Sequence, residues 1–182
     1  MKLTPQFFII ADTHFLHSAM TKLGGRPDDF DEIIIKNWNK IVKPKDKVLH
    51  LGDLVFSNKE RAIALVRKLN GKIYLVRGNH DGQSETWITD CGIKAVEPIY
   101  KVFKDKYENI IDVLFTHEPV QNLPKGNWFN IHGHLHGDKP VGAVDNHRDI
   151  ILTDHHYDAG VDANNYMPVP LYEILRGFFI RL

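Results

Sequence analysis

A chain of 182 residues suffices for one domain, 1–182, burying roughly 70% of the surface its unfolded form exposes. A hydrophobic share of 43% without low-complexity tracts or repeats excludes a disordered or solenoid chain. Lysine plus arginine balance aspartate plus glutamate at 23 each, which excludes the basic footprint of a strong nucleic-acid-binding surface.

Residues 7–11 (FFIIA) form an apolar run on both faces, which suits a central strand, and Asp12 ends it. That run is too short for a signal peptide or membrane helix, so no membrane partner and a cytoplasmic chain are expected. Phe30, Ile34, Trp38 and Ile41 recur at helical spacing, with Asp28 or Asp29 as N-cap and Pro44 just beyond. A second strand at 48–51 runs into Gly52 and Asp53, and Ala62, Leu65, Val66 and Leu69 mark a second helix stopped by Asn70-Gly71. A third strand at 73–76 ends at Arg77-Gly78-Asn79-His80-Asp81. This β-α-β-α-β order predicts parallel strands joined by crossovers.

The second half reads as a hairpin of 94–103 and 110–116 around a polar turn at 105–109. Strands near 129–132, 141–144, 150–153 and 157–161, a short helix opened by Pro170 and a terminal strand at 178–181 follow. The second sheet is expected to be mostly antiparallel. The fold class is α/β, a four-layer αββα sandwich of two mixed β-sheets flanked by helices.

Eleven histidines in this chain are unusual, whereas Cys91 alone offers neither a disulfide nor a thiolate metal cage. Five polar clusters fall at predicted strand ends: Asp12-Thr13-His14, Gly52-Asp53, Gly78-Asn79-His80-Asp81, Thr116-His117 and Gly133-His134-Leu135-His136. Ligands of open α/β sheets gather at the carboxyl ends of strands. Residues two apart on extended backbone share a side, so Asp12 and His14 can face one ion, as can His134 and His136. Gly52, Gly78 and Gly133 precede candidate ligands, where a missing side chain permits close approach. Asp12, His14, Asp53, Asn79, His117, His134 and His136 are too many for one zinc-like site and enough for two ions sharing Asp53. Two such cations suit in-line displacement at phosphorus, so phosphoester hydrolysis is expected.

The ordered set D-x-H, G-D, G-N-H-D, H and G-H-x-H resembles the calcineurin-like metallophosphoesterase superfamily. Gly25-Arg26-Pro27, His50-Leu51-Gly52-Asp53 and the 160–168 tail extend the likeness to its small bacterial and phage branch. The resemblance implies Asp12, His14, Asp53 and His136 around one metal, and Asp53, Asn79, His117 and His134 around the other. It implies a metal-bridging hydroxide as nucleophile and His80 as the acid, its ring oriented by Asp81. Arg26 is a candidate phosphate anchor. The mixed imidazole and carboxylate donors suit two divalent ions, Mn²⁺ first, with Fe, Zn²⁺, Ni²⁺ or Co²⁺ as alternatives. The expected substrate is a phosphate ester of nucleotide type or another small diester. Monoesters, dinucleoside polyphosphates and a non-catalytic metal-binding scaffold are the alternatives, and oligomeric state leaves no signal in the sequence.

Overall fold

A computed structural model describes residues 1–138, 150 and 152–182; the expected strand at 141–144, part of that at 150–153, and His147 lie outside them. Strands β1 (Phe8–Ile10), β2 (Lys47–His50), β3 (Lys72–Val76) and β4 (Lys94–Val96) alternate with helices α1 (Met20–Leu23), α2 (Phe30–Ile41), α3 (Lys59–Val66) and α4 (Glu85–Asp90). β4, β3, β2 and β1 lie side by side in parallel, and β9 (Val169–Pro170) adds antiparallel to β1.

Strand periodicity explains how this sheet divides the core. Ile10, Val48, Ile73 and Leu75 face Ile34, Trp38, Ala62, Leu65 and Ile88 of the helices. Ile9, Leu49, Leu51, Tyr74 and Val76 face the second sheet through Ile111, Val113, Phe115, Phe129 and Ile131. That sheet runs β5 (Ile99–Lys104), β6 (Ile110–Phe115), β7 (Trp128–His132) and β8 (His156–Asp158). Two mixed sheets flanked by helices form the expected α/β sandwich.

Three expectations are corrected. The predicted strand at 94–103 is two strands in different sheets. Pro98, which has no N–H to donate, stands where the chain leaves β4 for β5. In the second sheet only β5 and β6 pair antiparallel; β6 with β7 and β7 with β8 are parallel. Parallel pairing needs a long connection, and the sequence leaves 12 residues between β6 and β7 and 23 between β7 and β8. The predicted terminal strand is helix: α5 (Leu171–Ile180) buries Leu171, Ile174, Leu175 and Phe178 on one stripe, with Phe178 stacked on Phe129 at 4.2 Å. No helix among the described residues is long and apolar enough to cross a membrane.

The register places Ile10 beside His50 and His50 beside Leu75, so β1, β2 and β3 deliver their following loops to one edge. His50 itself turns into the core. The Thr13 hydroxyl donates to the Leu54 carbonyl at 2.7 Å, so it accepts from His50 Nε2–H at 3.0 Å, leaving Nδ1 unprotonated and, among the described residues, without a hydrogen-bond partner. Burial first, then His117, pushes the imidazole down to about 3. Its folded-state value lies below the unfolded one, so stability is lost as pH falls from about 6.5 toward that value. His50→Gln is expected to flatten this loss by up to about 1.4 kcal/mol per pH unit, read from urea midpoints between pH 7 and 4.

Candidate metal centre

Five of the seven proposed ligands sit in the left-handed backbone region: Asp12 at φ 54°, His14 at 45°, Asp53 at 58°, His134 at 74° and His136 at 52°. Each such non-glycine residue costs about 1–3 kcal/mol unless its surroundings impose it, and this kind of strain gathers at functional sites. The convergence of Asp12 with His14, and of His134 with His136, therefore does not come from extended strands. Cross-loop hydrogen bonds impose it: Asp12 N–H donates to Gly52 O at 3.0 Å, His14 N–H to Asp53 O at 2.9 Å, and Gly133 N–H to His117 O at 2.9 Å. The glycines admit this proximity. A Cβ on Gly78 would collide with the Asp53 carboxylate, and one on Gly133 would lie 2.6 Å from Asp12 Oδ2.

Asp12, His14 and His136 present one donor atom each within 4.8 Å of one another, and so do Asp12, Asp53 and His117. In the first group, Asp12 Oδ2 accepts the His134 N–H at 2.8 Å, while buried Asp12 Oδ1 and His14 Nε2 have no hydrogen-bond partner among the described residues. His136 Nδ1–H donates to Asp162 Oδ2 at 3.0 Å, which leaves its Nε2 lone pair available.

The second group extends to Asn79 and His134. His117 Nδ1 lies 2.8 Å from the Leu51 carbonyl, an acceptor only, so in the neutral ring Nδ1 carries the proton and Nε2 a lone pair. That lone pair meets Asn79 Oδ1 at 2.8 Å, His134 Nδ1 at 3.2 Å and Asp53 Oδ2 at 3.6 Å. Donor atoms around one cation stand roughly 3 Å apart. Asp53 Oδ2 also lies 3.4 Å from His14 Nε2, between the two groups, while Asp53 Oδ1 accepts the His80 N–H at 2.9 Å.

The electrostatics match this geometry. Burial, then Asp53 and Asp158, push the Asp12 carboxyl well above its ordinary range, against the His134 amide and Arg26. Burial, then His136, Arg26, His80 and His17, push His14 well down, so its ring is neutral. Crowded carboxylates, the neutral His14 imidazole and orphaned donor atoms aimed at one space fit divalent cations.

Arg26 does not fit the expected phosphate anchor. It is buried, donating to both Asp162 oxygens at 3.0 and 2.6 Å, to Thr13 O at 2.8 Å and to Asp12 O at 2.7 Å. Asp81 does not orient the His80 ring. Its buried carboxylate accepts from the Asp53, Leu54 and Gly78 amides at 2.6, 3.1 and 2.9 Å, clasping two loops together. His80 is exposed at the mouth, its ring 5.5 Å from that of His14.

Asp162 is the residue the sequence reading passed over. Burial works to raise its carboxyl, but the hydrogen bonds from His136 and Arg26 prevail and hold it below its usual range. The signal was present as a Gly-x-Asp at the end of β8, echoing Gly52-Asp53. Asp162→Asn is expected to weaken divalent-metal affinity about 10- to 100-fold, as loss of a histidine-orienting group does, measured by calorimetric titration.

Residues 5–173 match the calcineurin-like phosphoesterase family, and the chain belongs to it. It is 31% identical over 179 residues to the uncharacterised protein MJ1445 of Methanocaldococcus jannaschii, covering 94% of this chain and 90% of that one. The crystal structure of AQ665, a protein of unknown function from Aquifex aeolicus, matches 93% of this chain and 97% of its own at TM-score 0.67 and 27% identity.

Proposed function

We propose that the chain is a dinuclear-metal-dependent phosphoesterase that prefers phosphodiesters of nucleotide type or other small diesters. The observation that carries this reading is the buried set of donor atoms from Asp12, His14, Asp53 and His117, two of which have no hydrogen-bond partner among the described residues. Asp12, His14, Asp53 and His136 would hold one ion, and Asp53, Asn79, His117 and His134 the other. Mn²⁺ suits the mixed imidazole and carboxylate donors. When bound, two such cations activate water at neutral pH and polarise the phosphoryl group.

The protein's own groups do the rest. His80, at the exposed mouth beside His14, donates a proton to the departing oxygen. Asp162 and the Leu51 carbonyl hold His136 and His117 with Nδ1 protonated, and Arg26 fastens Asp162 to the Asp12-Thr13 backbone. Asn79 and His80 are both exposed, leaving room for the second ester group of a diester.

The test offers p-nitrophenyl phosphate and its bis ester to the chain loaded in turn with Mn²⁺, Ni²⁺, Co²⁺ and Zn²⁺. Cleavage of the bis ester above the monoester, lost in His80→Ala, is the expected result. Bound metal with no cleavage of either ester would overturn the reading in favour of a metal-binding scaffold.

A further inference from the structure

Phe56 lies just after the Asp53 loop and is 48% exposed, although an apolar ring gains by leaving water. It packs against histidines. The His17 ring stacks on it with centroids 4.2 Å apart and planes at 22°, and the His80 ring meets it edge-on at 6.1 Å. His14 closes the figure, its ring 5.5 Å from both His17 and His80. Four rings thus form one continuous patch that runs from a proposed metal ligand, past the proposed acid, to an open aromatic face.

The backbone holds this wall in place. Phe56 N–H donates to Phe15 O at 2.9 Å, and Phe15 pairs with Val55 in an isolated bridge, so the loop carrying Phe56 is tied to the one carrying His14 and His17. A group whose oxygen receives its proton from His80 stands beside the two rings that flank His80, and of these His14 is buried while Phe56 is open.

We propose that Phe56, backed by His17, is a specificity-determining platform that stacks a planar aromatic group of the substrate, a nucleobase or an aryl leaving group. The proposal rests on the phosphoesterase reading and gives its substrate class. A flat ring against Phe56 keeps the apolar contact while its ester phosphorus reaches the carboxylate and imidazole donors. A saturated or short alkyl group forfeits the stack, because only a π-face pairs in this way whatever its ring pattern.

The experiment measures binding, so that it does not depend on turnover. Phenylphosphonate, cyclohexylphosphonate and methylphosphonate, whose carbon–phosphorus bonds resist hydrolysis, are titrated calorimetrically into the Mn²⁺-loaded chain. Wild type should bind phenylphosphonate about 5- to 30-fold more tightly than the other two. Phe56→Ala should erase that margin and leave methylphosphonate unchanged, while Phe56→Trp restores it. A wild type with no preference, or a Phe56→Ala variant that weakens all three equally or none, would overturn the proposal. A preserved preference in a chain that cleaves no ester would sink the phosphoesterase reading and leave the platform standing.

Discussion

Asp53→Asn is expected to remove divalent-metal binding at both sites and to lower phosphodiester turnover by more than about 100-fold. Loss of a group that merely orients a metal-bound histidine already costs up to about that factor. The proposed role of Asp53 is larger: its Oδ2 faces His14 Nε2 at 3.4 Å and His117 Nε2 at 3.6 Å, so one charge serves both donor groups. The substitution is chosen to spare the fold. Asparagine keeps an oxygen to accept the His80 N–H, and it tolerates the φ of 58° better than alanine would. Metal content after dialysis, kcat on the bis ester and far-ultraviolet dichroism read the three consequences together. Wild-type metal content and turnover in a folded Asp53→Asn chain would remove Asp53 from the centre.

The parallel half of the fold was open to reading because its strands are buried on both faces and end abruptly in Asp12, Asp53 and Asn79. Those breaks from apolar to polar mark both a strand's end and a proposed ligand's position. The second half hid its pairing. Parallel or antiparallel direction depends on where long connections return, and residues 116–127 carry no periodicity that says so. α5 was misread for a different reason: Phe178, Phe179 and Ile180 are adjacent apolar residues that look like a strand once the stripe beginning at Leu171 is cut short. α1 and α4, at four and six residues, are too short for helical spacing to accumulate.

Within the site, residue identities were legible and roles were less so. Types and order alone bring out Asp12, His14, Asp53, Asn79, His117, His134 and His136, and the structure gathers all seven. Their left-handed backbone was not legible, since nothing in D-x-H or G-H-x-H distinguishes an extended strand from two strained turns. A charged residue beside a phosphate site invites the reading of Arg26 as a phosphate anchor, and a carboxylate next to His80 invites that of Asp81 as the group orienting its ring. The structure spreads the Arg26 guanidinium over Asp162 and two carbonyls, and the Asp81 carboxylate over three amides. Both are long-range partnerships, and a single sequence does not display them.

Asp12→Asn is expected to stabilise the metal-free protein and destabilise it relative to wild type once Mn²⁺ is added. In the metal-free chain the buried Asp12 carboxyl is raised chiefly by burial and then by Asp53 and Asp158, and its Oδ1 has no hydrogen-bond partner among the described residues. A carboxyl raised on folding favours the protonated form in the fold. Its burden is absent below the unfolded value of about 3.9, grows as pH rises through the window above it, and levels off once the folded value is passed. Asparagine carries no such burden and still accepts the His134 N–H that Oδ2 takes at 2.8 Å. The acid-side loss from His50, whose shift owes nothing to Asp12, is common to both chains and cancels in the difference. Removing the buried charge is worth about 1–3 kcal/mol, or roughly 2–12 °C in Tm at this chain length. Mn²⁺ reverses the order, because a ligand at about 1,000 times its Kd stabilises only the chain that binds it, by about 4.1 kcal/mol. Thermal unfolding of both chains from pH 4 to 8, in EDTA and then in Mn²⁺, reads the crossing. Curves that keep the same order in both conditions would place Asp12 outside the metal centre.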